Sequence, residues 1–304
     1  MLEVLRKALD KGLFTGILLT DLSKAFDCIS HKLLIAKLEA YGFSCNALNL
    51  VNDYLCNRHH RTKIGENFSD WFDIVHGVPQ GSILGPLFFN IYINDLFLFT
   101  ESFLMTNYAD DCSPYETGKT IDIVIENLQC DSFNLIEWYT NNYLKPNPEK
   151  WFLLLSDKNN ENSIAIEDKI IKNSSNKKIL GVYFDNKLNF DFHLNNLCKK
   201  ASGKLHALSR MAKFMSFKQR KIIVNAFIHS HFNYCPLIWM CHSRKINNQI
   251  NKIHERGLRI VYEDYFTPFI LLSEKDEAFS IHHRNIPSLA IEIYCALNNL
   301  SPSF

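Results

Sequence analysis

Three separated patches of the chain carry residue types that can act together on a phosphate ester. Asp21 closes the run Gly16-Ile-Leu-Leu-Thr-Asp21 and is followed by Leu22-Ser-Lys-Ala-Phe-Asp27. Two adjacent acids stand in Tyr108-Ala-Asp-Asp111, and between the acidic patches lies His76-Gly-Val-Pro-Gln-Gly-Ser82. Carboxylates brought in on two neighbouring strands can converge on hard cations such as Mg2+, which take oxygen ligands. Two such ions about 3.5–4 Å apart activate an attacking hydroxyl and stabilise a leaving phosphate oxygen. Side chains alternate along a strand, so Asp110 and Asp111 aim the same way only where a turn bends them. Asp110 is expected to be the main ligand and Asp111 the accessory one. Each patch alone is ordinary: an Asp-Asp pair is usually a solvated turn, and a Gly/Pro loop is a common entry to a helix.

The elements that must position these residues follow from the apolar pattern. Gly16–Asp21 reads as a buried strand ending in an acid. Ser30 sits at an N-cap position, and Leu33, Leu34, Leu38 and Tyr41 keep helical spacing until Gly42 stops it. Residues 62–76 look like strand and turn; the Gly77–Ser82 loop then leads into an apolar helix over 83–96, with Gly85 and Pro86 tolerable only in its first turn. Residues 103–112 read as a strand entering a turn, with a return strand at 113–116. Ile121, Ile125, Leu128, Ser132, Leu135 and Tyr139 trace one helix face, and Trp151–Leu155 and Ile179–Phe184 read as further strands. The order is α/β or α+β: a small antiparallel sheet backed by helices. After Asp191 the pattern turns helical, with Leu194, Leu197, Ala201, Leu205, Leu208, Ala212 and Met215 recurring every three to four residues. Later helices are expected over 218–261 and 282–299. A domain boundary is placed near residues 186–192, giving domains 1–190 and 191–304.

Composition narrows the class. With 304 residues, 47% of them apolar and 23 of them Phe against 11 Gly and 9 Pro, the chain has the means for one large or two modest cores and is not low-complexity. No run approaches the roughly 20 apolar residues of a membrane span, and the first residues, with Glu3 and Asp10 among the basic ones, lack a secretory signal pattern. Nine irregularly spaced Cys favour reduced thiols in the nucleus or cytoplasm over a disulfide scaffold. The net charge of +1 hides an asymmetry. Residues 1–150 carry 12 Lys and Arg against 19 Asp and Glu, residues 151–304 carry 21 against 13, and Asn196–Ile260 holds 13 basic residues with Glu255 as its one acid. An acidic half suited to cations and a basic half suited to a polyanion fit together as readily as two solvated faces.

Taken in order, Asp21-Leu-Ser-Lys-Ala-Phe-Asp27, Gly77-Val-Pro-Gln-Gly-Ser-Ile-Leu-Gly-Pro-Leu87 and Tyr108-Ala-Asp-Asp111 resemble successive palm motifs of reverse transcriptases, nearest to the jockey-like branch of non-LTR retrotransposons. Leu144-Lys-Pro-Asn-Pro-Glu-Lys150 and Ile179-Leu-Gly-Val182 resemble the next two motifs, and Phe232–Trp239 and Ile253–Ile260 resemble that branch's tail. The resemblance implies a right-hand polymerase palm followed by an all-helical, basic thumb and C-terminal region. It implies that Asp21 and Asp110 hold two Mg2+ (or Mn2+) ions, with Asp111 assisting and the Leu22 carbonyl as a neutral ligand. Phe26 would lie under the incoming sugar and clash with a 2′-hydroxyl, Ser23, Lys24 and Ala25 would lie near the triphosphate, and Gln80 and Gly81 would line the nucleotide and template pocket. Lys150 would protonate the leaving pyrophosphate, with Lys145 as a nearby competitor, and Leu180-Gly181 would grip the primer end. Implied partners are an RNA template, a DNA primer, their hybrid and dNTPs, the hybrid tracked through phosphates by Lys199, Lys200, Lys204, Arg210 and Lys213.

Two departures from the family pattern carry expectations of their own. A fingers region of about a hundred residues at ordinary domain sizes precedes the first palm strand in that family, whereas 20 residues precede Asp21 here. The expectation is a piece of a larger element, a truncated copy or a partial gene model, with fingers and endonuclease supplied by further segments of the element. The rival readings are a catalytically silent nucleic-acid-binding remnant and, more remotely, a metal-dependent phosphodiesterase. Trp151 stands where the family has a small polar residue and is expected to tilt its motif. Several groups are assigned bland roles: His229, His231, Cys235, Cys241 and His242 as core or helix-surface residues rather than a zinc site, Asp27 as a helix-entry or salt-bridge residue rather than a third metal ligand, His59, His60, Arg58 and Arg61 as a solvated loop with template contact as the alternative, and Trp138 and Trp239 as core.

Overall fold

The computed structural model describes residues 1–99, 104–157, 161–240, 242–276, 280–298 and 300. The chain divides into two compact units, one of residues 1–177 and 185–188, the other of residues 178–184 and 189–304. Residues 178–184, which the sequence groups with the first domain, therefore go with the helices.

The first unit is built on a four-stranded antiparallel sheet. Its strands are β1 (Phe14–Leu19), β2 (Leu104–Tyr108), β3 (Asp111–Gly118) and β4 (Phe152–Leu155), in the order β2-β3-β1-β4. The expected strand start at Phe103 lies outside the described residues. Phe14 pairs with Gly118 and Ile17 with Tyr115, while on the other edge Gly16 pairs with Leu155 and Leu19 with Phe152. One face is covered by the long helix Ile121–Asn141, started by the Thr120 hydroxyl accepting the Ile123 N–H. The cover is tight at Gly16: a Cβ there would meet Val124 Cγ1 at 2.6 Å, Leu128 Cδ1 at 2.7 Å and Leu155 Cδ2 at 2.9 Å. Only glycine lets the helix seat on β1 at this depth.

The helix His31–Ala40 is capped by Ser30, whose side chain accepts from the Leu33 N–H. Pro86 falls in the first turn of the Leu84–Ile93 helix, where its missing N–H has no partner to lose; a separate short helix, Leu96–Phe99, follows. Three elements have no counterpart in the sequence reading. Leu2–Asp10 is a helix that buries Leu5 and Ala8. Cys45–Leu55 is a helix capped by Ser44. The Asn/Ser/Lys-rich stretch holds a hairpin, Ser163–Ile166 against Lys169–Lys172, whose Ile164, Ile166 and Ile171 join the core. Its alternation lasts only four residues a side, too short to stand out among polar neighbours.

The second unit is helical apart from its share of the hairpin Asn176–Ile179/Val182–Asp185. Leu194, Cys198, Ala201, Leu205 and Leu208 on the Asp191–Met211 helix meet Ile246, Ile250, Ile253 and Ile260 on the Arg244–Tyr262 helix, with Val224, Ile228, Phe232 and Trp239 closing a separate core. The last helix runs Ile281–Leu297; Asn299, the expected end, lies outside the described residues.

Candidate active site

Strand register brings the first two acids together. The Thr20 N–H and Thr20 Oγ1 both donate to the Cys112 carbonyl, at 3.0 and 2.9 Å. Asp21, next after Thr20, therefore stands beside Asp111, next before Cys112. Alternation assigns the faces: Gly16, Leu18, Thr20 and Cys112 lie toward the covering helix, so Asp21 and Asp111 lie on the opposite face, at the end of a run in which Ile17 and Tyr115 are buried. Cys112 is fully buried and its thiol is pushed up to about 12 by that burial. Asp111 shows the electrostatic result. Its carboxyl is held above the usual range, first by partial desolvation and then by the Asp110 and Asp21 charges.

Asp110 reaches the site differently. Tyr108 pairs with Asp111, which makes Ala109-Asp110 a two-residue turn. Ala109 adopts φ +53°, a left-handed conformation that an alanine takes only under constraint. The bend carries Asp110 to the wall of a cavity of about 410 Å³, shared with Leu22, Lys24, Ala25, Phe26, Gln80 and Gly81. Seven residues nominated from the sequence thus line one space.

That space is framed by a short 3-10 turn, Ala25–Asp27, strapped to the 77–80 loop. The Gly77 N–H donates to the Ile29 carbonyl at 2.8 Å and the Val78 N–H to the Phe26 carbonyl at 3.0 Å. Gln80 Nε2 donates to Asp27 Oδ1 at 2.9 Å, so Asp27 positions Gln80. Phe26 stacks on Phe89 with ring centroids 4.7 Å apart, which fixes its ring in the cavity wall. Gly81, at φ +81°, has nothing within 4 Å of where a Cβ would stand. Protein packing does not demand a small residue there, but the backbone conformation does.

Four nominated residues lie off this cavity: Asp21, Ser23, Asp111 and Lys150. The Ser23 N–H donates to the Lys145 carbonyl at 2.8 Å and the Asn147 N–H to the Asp21 carbonyl at 3.0 Å, bonds that flank Leu22 and leave its carbonyl out of this rung. Lys150 Nζ lies 3.5 Å from Asp21 Oδ2 on a side chain that is 66% exposed. Lys145 contributes its backbone here. Sequence reasoning missed two hydrogen bonds. Asn147 Nδ2 donates to Asp21 Oδ2 at 3.3 Å, and the buried Trp151 indole donates to the Asp21 carbonyl at 3.0 Å. Trp151 serves as a buried latch under Asp21. Only the place of Asn147 and Trp151 in or beside the Leu144–Lys150 motif pointed to them.

Carboxylates with no His or Cys among them are a donor set for a hard divalent cation. Among the described residues, no three or more His, Cys, Asp or Glu side chains form a ready-made metal cage, and the like charges of Asp21, Asp110 and Asp111 repel one another. The donor chemistry fits Mg2+ or Mn2+.

His229, His231 and His242 make separate contacts in the second unit. His229 Nε2 lies 3.1 Å from His254 Nδ1 in the core, with burial lowering His229 to about 3 and His254 to about 4. His231 contacts Lys204 Nζ at 2.8 Å, and His242 faces the Asn189 carbonyl at 2.9 Å. Cys241 lies outside the described residues. Trp138 and Trp239 are core residues. Lys199, Lys200, Lys204, Arg210 and Lys213 are all exposed on the Asp191–Met211 helix and the turn after it.

Comparison with known proteins agrees with this geometry. A sequence profile described as "Reverse transcriptase (RNA-dependent DNA polymerase)" matches residues 5–184. The chain is 24% identical over 269 residues to the probable RNA-directed DNA polymerase from transposon BS of Drosophila melanogaster, covering 84% of this chain and 30% of that protein. It is 28% identical over 189 residues to the RNA-directed DNA polymerase from mobile element jockey of the same fly, covering 58% and 20%. The chain thus spans between a fifth and a third of these relatives' length. Among solved structures, apo telomerase from Candida tropicalis matches with a TM-score of 0.50 at 14% identity, over 90% of this chain and 46% of that one, a likeness of the right-hand polymerase fold. The profile spans more than half of the sequence, both acidic patches and the Gln80–Gly81 loop, and the chain belongs to the reverse transcriptase (RNA-dependent DNA polymerase) family.

Proposed function

We propose that this chain carries the polymerising site of an RNA-directed DNA polymerase, joining a dNTP to the 3′-hydroxyl of a DNA primer paired to an RNA template. The observation that carries the reading is the juxtaposition at the open end of β1 and β3. There Asp21 stands beside Asp111, and the turn between β2 and β3 carries Asp110 into the wall of a cavity of about 410 Å³. Asp21, Asp110, Asp111 and the Leu22 carbonyl would hold two Mg2+ or Mn2+ ions, which when bound would activate the attacking hydroxyl and neutralise charge on the leaving pyrophosphate.

The chain's own groups do the rest. Asn147 and Trp151 orient Asp21 from its carboxylate and its carbonyl. The Ser23–Ala25 backbone lies where the triphosphate would run. Phe26, stacked on Phe89, would clash with a ribose 2′-hydroxyl and so select deoxynucleotides. Gln80, held by Asp27, and Gly81 would line the base pair. Lys150, already within reach of Asp21, would donate a proton to the departing pyrophosphate. The exposed Lys199, Lys200, Lys204, Arg210 and Lys213 would follow the hybrid's phosphates without reading sequence. The site of action would be the nucleus or cytoplasm, in keeping with eight free cysteines among the described residues.

The test is primer extension on a poly(A) RNA template with oligo(dT), dNTPs and Mg2+, the Asp110→Ala protein run alongside. Incorporation should fall at least about a hundredfold in the variant, the scale of losing one group that stabilises transition-state charge. Hybrid binding that is salt-sensitive but yields no incorporation with either protein would instead identify a silent nucleic-acid binder.

A further inference from the structure

The chemistry above leaves unused a charge that lies inside the first unit. Lys37, on the His31–Ala40 helix, is only 9% exposed. An ammonium has three N–H donors, and here all three are engaged: by the Tyr92 carbonyl at 2.7 Å, Asp95 Oδ1 at 2.8 Å and Asn142 Oδ1 at 2.7 Å. The ring centroids of Tyr92 and Trp138 lie 4.7 and 4.9 Å from Nζ. The Asn142 amide is fixed from its other end, where Nδ2 donates to the Trp138 carbonyl at 2.9 Å and so turns Oδ1 toward the lysine. Tyr92 adds a second link beside the first. Its hydroxyl donates to the Asn142 carbonyl at 2.7 Å and accepts the Ser30 N–H at 3.4 Å.

A leucine or methionine would fill this space without the desolvation cost of an ammonium. What the ammonium adds is a junction among three segments, each of which leads to the carboxylate site. Its own helix begins at Ser30 and His31, and His31 Nε2 lies 2.7 Å from the carbonyl of Gly77, in the loop strapped to the Ala25–Asp27 turn. Tyr92 belongs to the helix that follows the Gln80–Gly81 loop, and Phe89 of that helix backs Phe26. Asn142 caps the Ile121–Asn141 helix, five residues before Asn147 bonds Asp21. Apolar packing between such segments is non-directional and tolerates sliding. Three short hydrogen bonds to one charge set distances as well as contact.

We propose that Lys37, with the Tyr92 hydroxyl beside it, is a positioning residue for nucleotidyl transfer, holding the Asp21 end of the site at a fixed spacing from the wall of Phe26 and Gln80. The role rests on the polymerase reading, and Lys37 acts in it only through these three segments.

Lys37→Met keeps the length of the side chain and removes its three donors. Tyr92→Phe is the milder change, keeping the ring and removing one hydroxyl, and it carries the test if Lys37→Met does not fold. Hydrogen exchange on the metal-free full chain reads the coupling. The Asn147 and Val78 amides, bonded to the Asp21 and Phe26 carbonyls, should exchange at least about tenfold faster in Lys37→Met, while amides of the β1–β3 ladder keep their rates. Tyr92→Phe should give the same pattern at smaller size. Primer extension reads the consequence. In Lys37→Met, kcat should fall by roughly ten- to a hundredfold with a smaller change in KM for dTTP, and the preference for dTTP over UTP should weaken. A lysine that only stabilises the fold would speed exchange in the ladder and at the site alike. That result, or unchanged exchange at Asn147 and Val78, overturns the proposal, as does a kcat and sugar preference that survive in Lys37→Met. No incorporation by the unaltered chain would sink the polymerase reading instead, and the exchange pattern then decides the coupling by itself.

Discussion

At the residue scale, the unusual property of the site is charge crowded at two strand ends. Asp111 carries the cost: desolvation and the neighbouring Asp110 and Asp21 raise its carboxyl above the ordinary range. In the metal-free protein, its carboxyl resonance should therefore titrate above the usual aspartate value. Asp110→Asn should bring the midpoint down, because it removes one like charge. Carbon-detected NMR of the side-chain carboxyls reads this directly, and a midpoint indifferent to Asp110→Asn would separate the two acids. The types and order of Asp21, Asp110, Gln80 and Phe26 were legible in the sequence because they sit in short contiguous motifs. The hydrogen bonds of Asn147 and Trp151 to Asp21 were not, because they depend on how a loop 126 and 130 residues away folds back. Trp151→Phe removes the N–H to the Asp21 carbonyl and trims a buried ring. It should cost about 1–3 kcal/mol in urea unfolding.

Between residue and whole molecule, the element that sets the site is the Ile121–Asn141 helix on the back of the sheet. Its seating fixes how β1 and β3 present Asp21 and Asp111. Gly16→Ala places a methyl within 3 Å of Val124, Leu128 and Leu155, and overpacking of this kind should cost about 1–3 kcal/mol. The sequence pattern found this helix but turned its face slightly. Leu128, Ser132, Leu135 and Tyr139 are buried as expected, Ile121 and Ile125 are only partly buried, and Val124 and Asp131 lie inside. An acid inside a helix face is what a hydrophobic pattern cannot anticipate. Burial, with Glu116 adding to it, pushes the Asp131 carboxyl up to about 7. The folded chain thus keeps a proton that the unfolded chain gives up near pH 4. Folding stability from this group is greatest below about pH 4, falls as pH rises, and reaches its full penalty above about pH 7. Asp131→Asn mimics the protonated form. It should raise stability at pH 8 by on the order of 2–4 kcal/mol, with the gain shrinking toward pH 4. Urea melts at pH 5 and pH 8 check this, and an equal gain at both would assign the effect to packing instead.

For the whole molecule, charge and core follow the same division. The first unit has its own core around Leu18, Phe89, Leu128 and Leu153, and the second has another around Leu205, Ile250 and Trp239. The basic excess of the second half was plain from counting residues, but counting cannot tell which cations face water. Arg220 is buried and donates to the Val261, Ala212 and Met215 carbonyls, with Glu263 paired at 2.8 Å. Lys221 is paired with Asp276 and Arg259 with Glu255. Lys199, Lys200 and Lys204 instead stand exposed within two turns of one helix. If that face follows phosphates, replacing these three by Ala should flatten the dependence of log K on log salt for an RNA–DNA hybrid. The slope should fall by about 1 for each phosphate that no longer meets a lysine. Arg220→Ala is the internal control: it removes the same kind of charge but leaves three carbonyls and Glu263 without their donor. It should therefore destabilise the helical unit by about 3–5 kcal/mol and, below its unfolding transition, leave the salt slope unchanged. A slope that fell for Arg220→Ala as well would mean that net charge, not a placed face, holds the hybrid.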